Sequence, residues 1–161
     1  MNTLIGLAVA AMSAMSAPAL AQTPRLVTEE MMVPSDPGIE VYVRNKRPAD
    51  MTAFRPERTV LYVHGATYPA STAFDLQLGG LSWMDYIAAR GNDVYLVDVR
   101  GYGKSSRPAE MDQPAAANKP IVNTDTAARD FGAAVDFIRA RRGVDRINVL
   151  GWSWGTAITA L

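Results

Sequence analysis

The pentapeptide Gly151-Trp152-Ser153-Trp154-Gly155 constrains this chain more than any other stretch. The β-prone run Ile147-Asn148-Val149-Leu150 leads straight into it, and the alanine-rich Thr156–Leu161 leaves it as the start of a helix. A Gly-x-Ser-x-Gly motif at a strand-to-helix corner strains the backbone of its central residue, leaves room only for glycines two positions away, and lifts the serine hydroxyl clear of the sheet. Ser153 is therefore a candidate nucleophile, with Gly151 and Gly155 as the small residues the corner needs. The competing reading is an ordinary turn in which Ser153 caps the following helix through its side chain.

A corner of this kind needs a sheet of buried strands, and the chain supplies them in alternation with helices. Arg58–Val63 and Asp93–Val99 are nearly continuous apolar runs, as expected of strands covered on both faces. Phe74–Arg90 carries an amphipathic pattern closed by Gly91 and predicts one helix. Thr124–Arg142 predicts a second, with Ala127, Phe131, Ala134, Val135 and Ile138 on one stripe and Gly143 as its stop. Before these, Leu26–Val33 and Ile39–Arg44 flank the turn signal Pro34-Ser35-Asp36-Pro37-Gly38 and predict an antiparallel hairpin. Alternating strand and helix gives the α/β class: a mostly parallel sheet with helices on both faces.

Composition removes several function classes. The chain has no cysteine and one histidine, which excludes disulfides, thiolate nucleophiles and Cys- or multi-His metal sites. Formal net charge is zero, so there is no electrostatic footprint for nucleic acid. Arg139, Arg141 and Arg142 fall at a helix end, where cations complement the dipole. Gly103-Lys104-Ser105 matches the tail of a phosphate-binding loop, but the required earlier glycine is Asp98, so nucleotide binding is not expected. Asp98 is read as structural, pairing with or capping the Arg100-Gly101 loop. Trp152 and Trp154 would either line a pocket or pack beneath the corner.

Residues 1–21 read as a signal peptide: an apolar stretch from Leu4 to Met15, then Pro18 and the small-x-small pattern Ala19-Leu20-Ala21. Cleavage would leave residues 22–161 as one domain with no stable membrane span, secreted or periplasmic.

His64-Gly65 ends the first buried strand, 89 residues before Ser153. That position suits an oxyanion loop, with the N–H of Ala66 meeting the N–H of Trp154 around a developing negative charge. His64 is then a support for the loop rather than a general base.

His64-Gly65, Asp98-Val99-Arg100-Gly101-Tyr102-Gly103-Lys104-Ser105 and Gly151-Trp152-Ser153-Trp154-Gly155 together resemble, in order and spacing, the α/β-hydrolase fold superfamily. The Asp-x-Arg-Gly-x-Gly-x-Ser loop and Asn123-Thr124 also look like proline iminopeptidase-type members, and many esterases share them. The resemblance implies a serine hydrolase working without a cofactor or metal on a small-molecule ester or peptide-like substrate. Ser153 would be its nucleophile, and Ala66 and Trp154 would form its oxyanion hole. Gly65, Gly151 and Gly155 would support it. A serine at the corner is unlike the dehalogenase and epoxide hydrolase branches, which place Asp there. The family orders its triad as Ser, acid, His, yet the eight residues after Ser153 include no Asp, Glu or His. The expectation is thus the N-terminal portion of such a fold, truncated after the elbow. The alternative is a non-catalytic chain acting, if at all, as a binding module.

Overall fold

The computed structural model describes residues 24–161; the expected signal peptide lies outside the described residues. Two strands, β1 (Leu26–Pro34) and β2 (Glu40–Pro48), form the antiparallel hairpin, turning through Gly38 at φ 77°. β3 (Thr59–Val63), β4 (Asp93–Asp98) and β5 (Asn148–Gly151) are parallel, and the sheet order is β1-β2-β4-β3-β5. The sheet is mixed, because the hairpin joins the parallel part through an antiparallel β2–β4 ladder.

Both faces are covered. Leu61, Val63, Tyr95 and Val97 point to one face and pack with Ala127, Phe131, Ala134 and Ile138 of helix α3 (Thr124–Arg142) and with Ile158 of the short helix α4 (Trp154–Ile158). Tyr62, Val94 and Leu96 point to the other, under Ala70 of α1 (Ala70–Ala73), Phe74, and Met84 and Ala88 of α2 (Trp83–Ala88). This period-2 division of continuous apolar runs is what two-sided burial requires. Where one helix was expected across Phe74–Arg90, only its second half is helical, as α2, while α1 ends just before Phe74. Gly79 and Gly80, at φ 64° and 85°, interrupt the first half, and Ser82 caps α2 in a reciprocal box with Asp85. The glycines and the Ser-x-x-Asp signal outweigh the apolar periodicity over that stretch.

The chain leaves β3 over one face to reach β4, then returns over the other face to place β5 on the far side of β3. The strand order therefore reverses at β3. In open α/β sheets ligand sites form at the carboxyl ends of the strands flanking such a point. β5 sits at the sheet edge, with Val149 44% and Leu150 38% exposed. Among the described residues no helix is long and apolar enough to cross a membrane.

An ionic cluster ties the hairpin turn to α3. Asp130, fully buried, accepts from the backbone N–H of Arg100 (2.9 Å), from its guanidinium (2.6 Å to Nη2) and from Ser35 Oγ (2.7 Å). Asp36 bridges Arg100 and Arg129 from the turn. This corrects the expected partner of Arg100, which is Asp130 rather than Asp98. Removing one member of a buried pair strands the other charge. Asp130→Ala is expected to lower unfolding free energy by about 3–5 kcal/mol, measured by urea denaturation against the parent chain.

Candidate active site

The carboxyl ends of β3 and β5 meet backbone to backbone. Trp152 N–H donates to Val63 C=O at 3.1 Å, extending the β3–β5 ladder into the corner. A methyl group added at Gly155 would lie 2.6 Å from the Val63 carbonyl oxygen and 2.8 Å from that of His64. One at Gly151 would overlap the Gly155 carbonyl, and one at Gly65 would lie 2.9 Å from Ser153 Cβ. Real side chains do not tolerate such approaches, so the three glycines are fixed by packing between backbones.

Ser153 takes φ 54° and ψ −119°, the one non-glycine positive φ among the described residues. That conformation costs on the order of 1–3 kcal/mol and persists only where the surroundings over-determine it. The Ser153 side chain makes no capping hydrogen bond to α4, which removes the helix-cap reading. It is exposed, and its Oγ lies 3.4 Å from the position a Gly65 Cβ would occupy. The corner thus brings Ser153 and the His64-Gly65-Ala66 loop together. Among the described residues the amides of Ala66 and Trp154 donate no hydrogen bond, leaving both N–H groups for an incoming oxygen.

His64 is 1% exposed and both ring nitrogens are committed. Nε2 accepts from Val99 N–H at the end of β4 (3.1 Å), so Nδ1 carries the proton and donates to Gly65 C=O (2.6 Å). The Gly65 carbonyl belongs to the same peptide group as the Ala66 N–H. His64 therefore holds one end of that amide while the other end stays free, and a hydrogen bond to the carbonyl strengthens the opposite N–H as a donor. Tyr102 braces the loop from outside: its ring packs on His64 at 4.5 Å between centroids, and its hydroxyl donates to Ala66 C=O at 2.7 Å. Tyr102 was legible only as part of the Gly101–Ser105 loop, with nothing to show that it would reach back 36 residues.

Asp98 is fully buried and accepts from Ser71 N–H (3.3 Å) and Ser71 Oγ (3.1 Å) at the start of α1. Its carboxylate is held by α1, while its backbone carbonyl accepts from Ser105 Oγ of the Arg100 loop (2.5 Å). That loop is fixed by its serines, since Ser105 Oγ accepts from Tyr42 N–H and Ser106 Oγ from Glu40 N–H. Both hydroxyls accept from amides at the start of β2, where its ladder with β4 ends. The tryptophans separate: Trp152 is 67% exposed, whereas Trp154 is half-buried, packs against the core and donates from Nε1 to Thr124 Oγ1 at 3.0 Å. Arg141 and Arg142 bind Glu29 and Asp93 at the end of α3. Among the described residues no group of three His, Asp or Glu side chains is arranged to hold a metal ion.

Burial holds the His64 pKa below its ordinary 6.5, although the Gly65 carbonyl and the nearby Asp98 charge pull it upward. The unfolded chain then binds the extra proton more readily. His64 contributes stability that is complete above about pH 6.5 and is lost as pH falls toward the lower folded value. Thermal melts between pH 7 and 5 are expected to show the parent chain losing stability more steeply than His64→Gln; parallel slopes would contradict the buried neutral imidazole.

Comparisons with known proteins place the fold. A family model described as alpha/beta hydrolase fold matches residues 58–161. An epoxide hydrolase from Vigna radiata superposes with a TM-score of 0.56 at 19% identity, over 82% of this chain and 34% of that one. An esterase from Pyrococcus furiosus gives 0.58 at 17%, over 83% and 44%, and a predicted hydrolase from Thermoplasma acidophilum gives 0.56 at 19%, over 84% and 55%. The chain thus spans about a third to a half of the length of these solved structures.

Proposed function

This chain belongs to the alpha/beta hydrolase fold family, and from that premise we propose that Ser153 is the nucleophile of a serine hydrolase acting on a small-molecule ester or amide. The observation that carries this reading is the strained, uncapped Ser153 facing the His64-Gly65-Ala66 loop. Ser153 Oγ attacks the substrate carbonyl carbon as its proton passes to a general base. The carbonyl π electrons move onto oxygen, which the N–H groups of Ala66 and Trp154 receive. Collapse expels the alcohol or amine, which takes up that proton, and leaves an ester on Ser153; water then attacks this acyl-enzyme and restores the hydroxyl. Preorganised donors of this kind are each worth roughly 2.7–4 kcal/mol of transition-state stabilisation.

The general base is not His64, whose two nitrogens serve Val99 and Gly65. In this reading the triad acid and histidine come from beyond the 161 residues, in keeping with the share of its relatives' length that the chain spans. The 161 residues alone would be the non-catalytic alternative: a carbonyl-binding corner carrying a weakly activated serine. We also propose that residues 1–21 are a cleaved export signal and that the mature protein is secreted or periplasmic.

A fluorophosphonate probe followed by peptide mass spectrometry is expected to modify Ser153 of the full-length protein and to leave Ser153→Ala unmodified. Labelling elsewhere, or none, would remove the nucleophile assignment. Amino-terminal sequencing of the protein from its native host is expected to start at Gln22, and an intact Met1 would overturn the export proposal.

A further inference from the structure

We infer that the cleft beside the oxyanion amides selects a neutral, apolar, ring-sized substituent of the substrate carbonyl. The inference rests on the hydrolase reading and narrows its substrate class. The cleft holds about 360 Å³ and is lined by Ala66, Tyr102, Val122, Asn123, Thr124 and Trp154. It is lined by Ala66 and Trp154, the residues proposed to supply the oxyanion N–H groups, so a carbonyl oxygen held there directs one of its carbon's substituents into this space. The volume lies near the lower end of the range of about 300–1,000 Å³ typical of small-molecule sites, which suits one ring or a short branched chain.

The walls specify its chemistry. Among the described residues no carboxylate, ammonium or guanidinium lines the cleft. Three of its polar atoms are already used within the protein: the Tyr102 hydroxyl donates to Ala66 C=O, Trp154 Nε1 donates to Thr124 Oγ1, and Asn123 Oδ1 accepts from Thr126 N–H at the start of α3. Its apolar lining comes chiefly from Tyr102 and Trp154, whose ring centroids lie 6.4 Å apart, and from Val122. A charged group entering it would lose hydration and meet no counter-charge. A free α-ammonium, as carried by an amino-terminal peptide substrate, finds no partner among the described residues of this lining. The cleft therefore favours neutral esters and amides over peptides read by their terminal charge.

The test uses the full-length Ser153→Ala protein, which binds without turnover, titrated with methyl benzoate, phenyl acetate, benzoate and benzylammonium while backbone, methyl and indole resonances are followed by NMR. Both neutral esters are expected to shift Val122 and the Trp154 indole N–H. Both charged probes are expected to bind at least about tenfold more weakly, a difference of roughly 1.4 kcal/mol. The tighter of the two esters identifies whether the acyl or the alcohol side enters. Val122→Trp, which fills the cleft, is expected to abolish the shifts. Equal binding of a charged probe, or shifts confined to residues outside the cleft, would overturn the inference. Binding that persists where Ser153 of the parent protein resists the fluorophosphonate would retain the cleft and remove the hydrolase reading; labelling without selective binding would do the reverse.

Discussion

The structure depends on how closely two pieces of backbone approach at the ends of β3 and β5. Val63 and His64 present carbonyl oxygens to Gly155, and Gly65 presents its bare Cα to Ser153. Any β-carbon at these positions would drive the strands apart and, with them, the serine from the loop it faces. The strain at Ser153 is tolerable because both sides of the corner are clamped. On one side Trp152 N–H binds Val63 C=O; on the other, α4 buries Ile158 against the core. Packing energy gathered over the sheet is thereby concentrated on a single backbone torsion.

A second set of restraints works through charge. The hairpin contributes no atom to the corner, yet Asp36 and Ser35 in its turn hold Arg100 and Asp130, and Arg100 follows directly on Val99, the residue whose N–H fixes His64. On the opposite face Lys46 lies between Asp75 and Asp85 at 2.6 Å from each, and Arg44 also reaches Asp75, fastening the segment between α1 and α2 to β2. Isolated buried charges would be costly, but here each carboxylate has at least one cation and a further hydrogen bond. The conformation of the His64-Gly65-Ala66 loop is thus referred to the sheet through His64, and that of the Arg100 loop to α3 through Asp130.

Much of this was legible in the sequence because it follows from local rules. The elbow, the buried strands, the hairpin and α3 each occupy a stretch whose periodicity or turn residues point one way, and the two-faced sheet follows from their alternation. The misses have a common physical origin. The Phe74–Arg90 pattern kept a helical period while Gly79-Gly80 broke the backbone beneath it. Partners of the Asp98 and Arg100 side chains could not be chosen from adjacency, because the actual partners lie 27 and 30 residues away. One signal was available and unused: Asp130 falls among Ala127, Phe131 and Ala134 on the apolar stripe of α3, and an acid on a buried stripe demands a buried cation. Nothing comparable announced the reach of Tyr102 to Ala66.

The place of β5 in the sheet also has a consequence in time. Asn148 fastens this strand to the Thr59 carbonyl across 89 residues of chain, whereas the hairpin closes between immediate neighbours. Loop-closure entropy and long-range pairing order such events, the local first and the distant last. The hairpin, and then β4 beside β3, can form while Ser153 is still an ordinary residue in an unstrained chain. Its unusual torsion and the loop opposite it come into being together, as a late product of folding. A partly folded molecule therefore carries the serine without its setting, and any reactivity is withheld until the sheet is assembled.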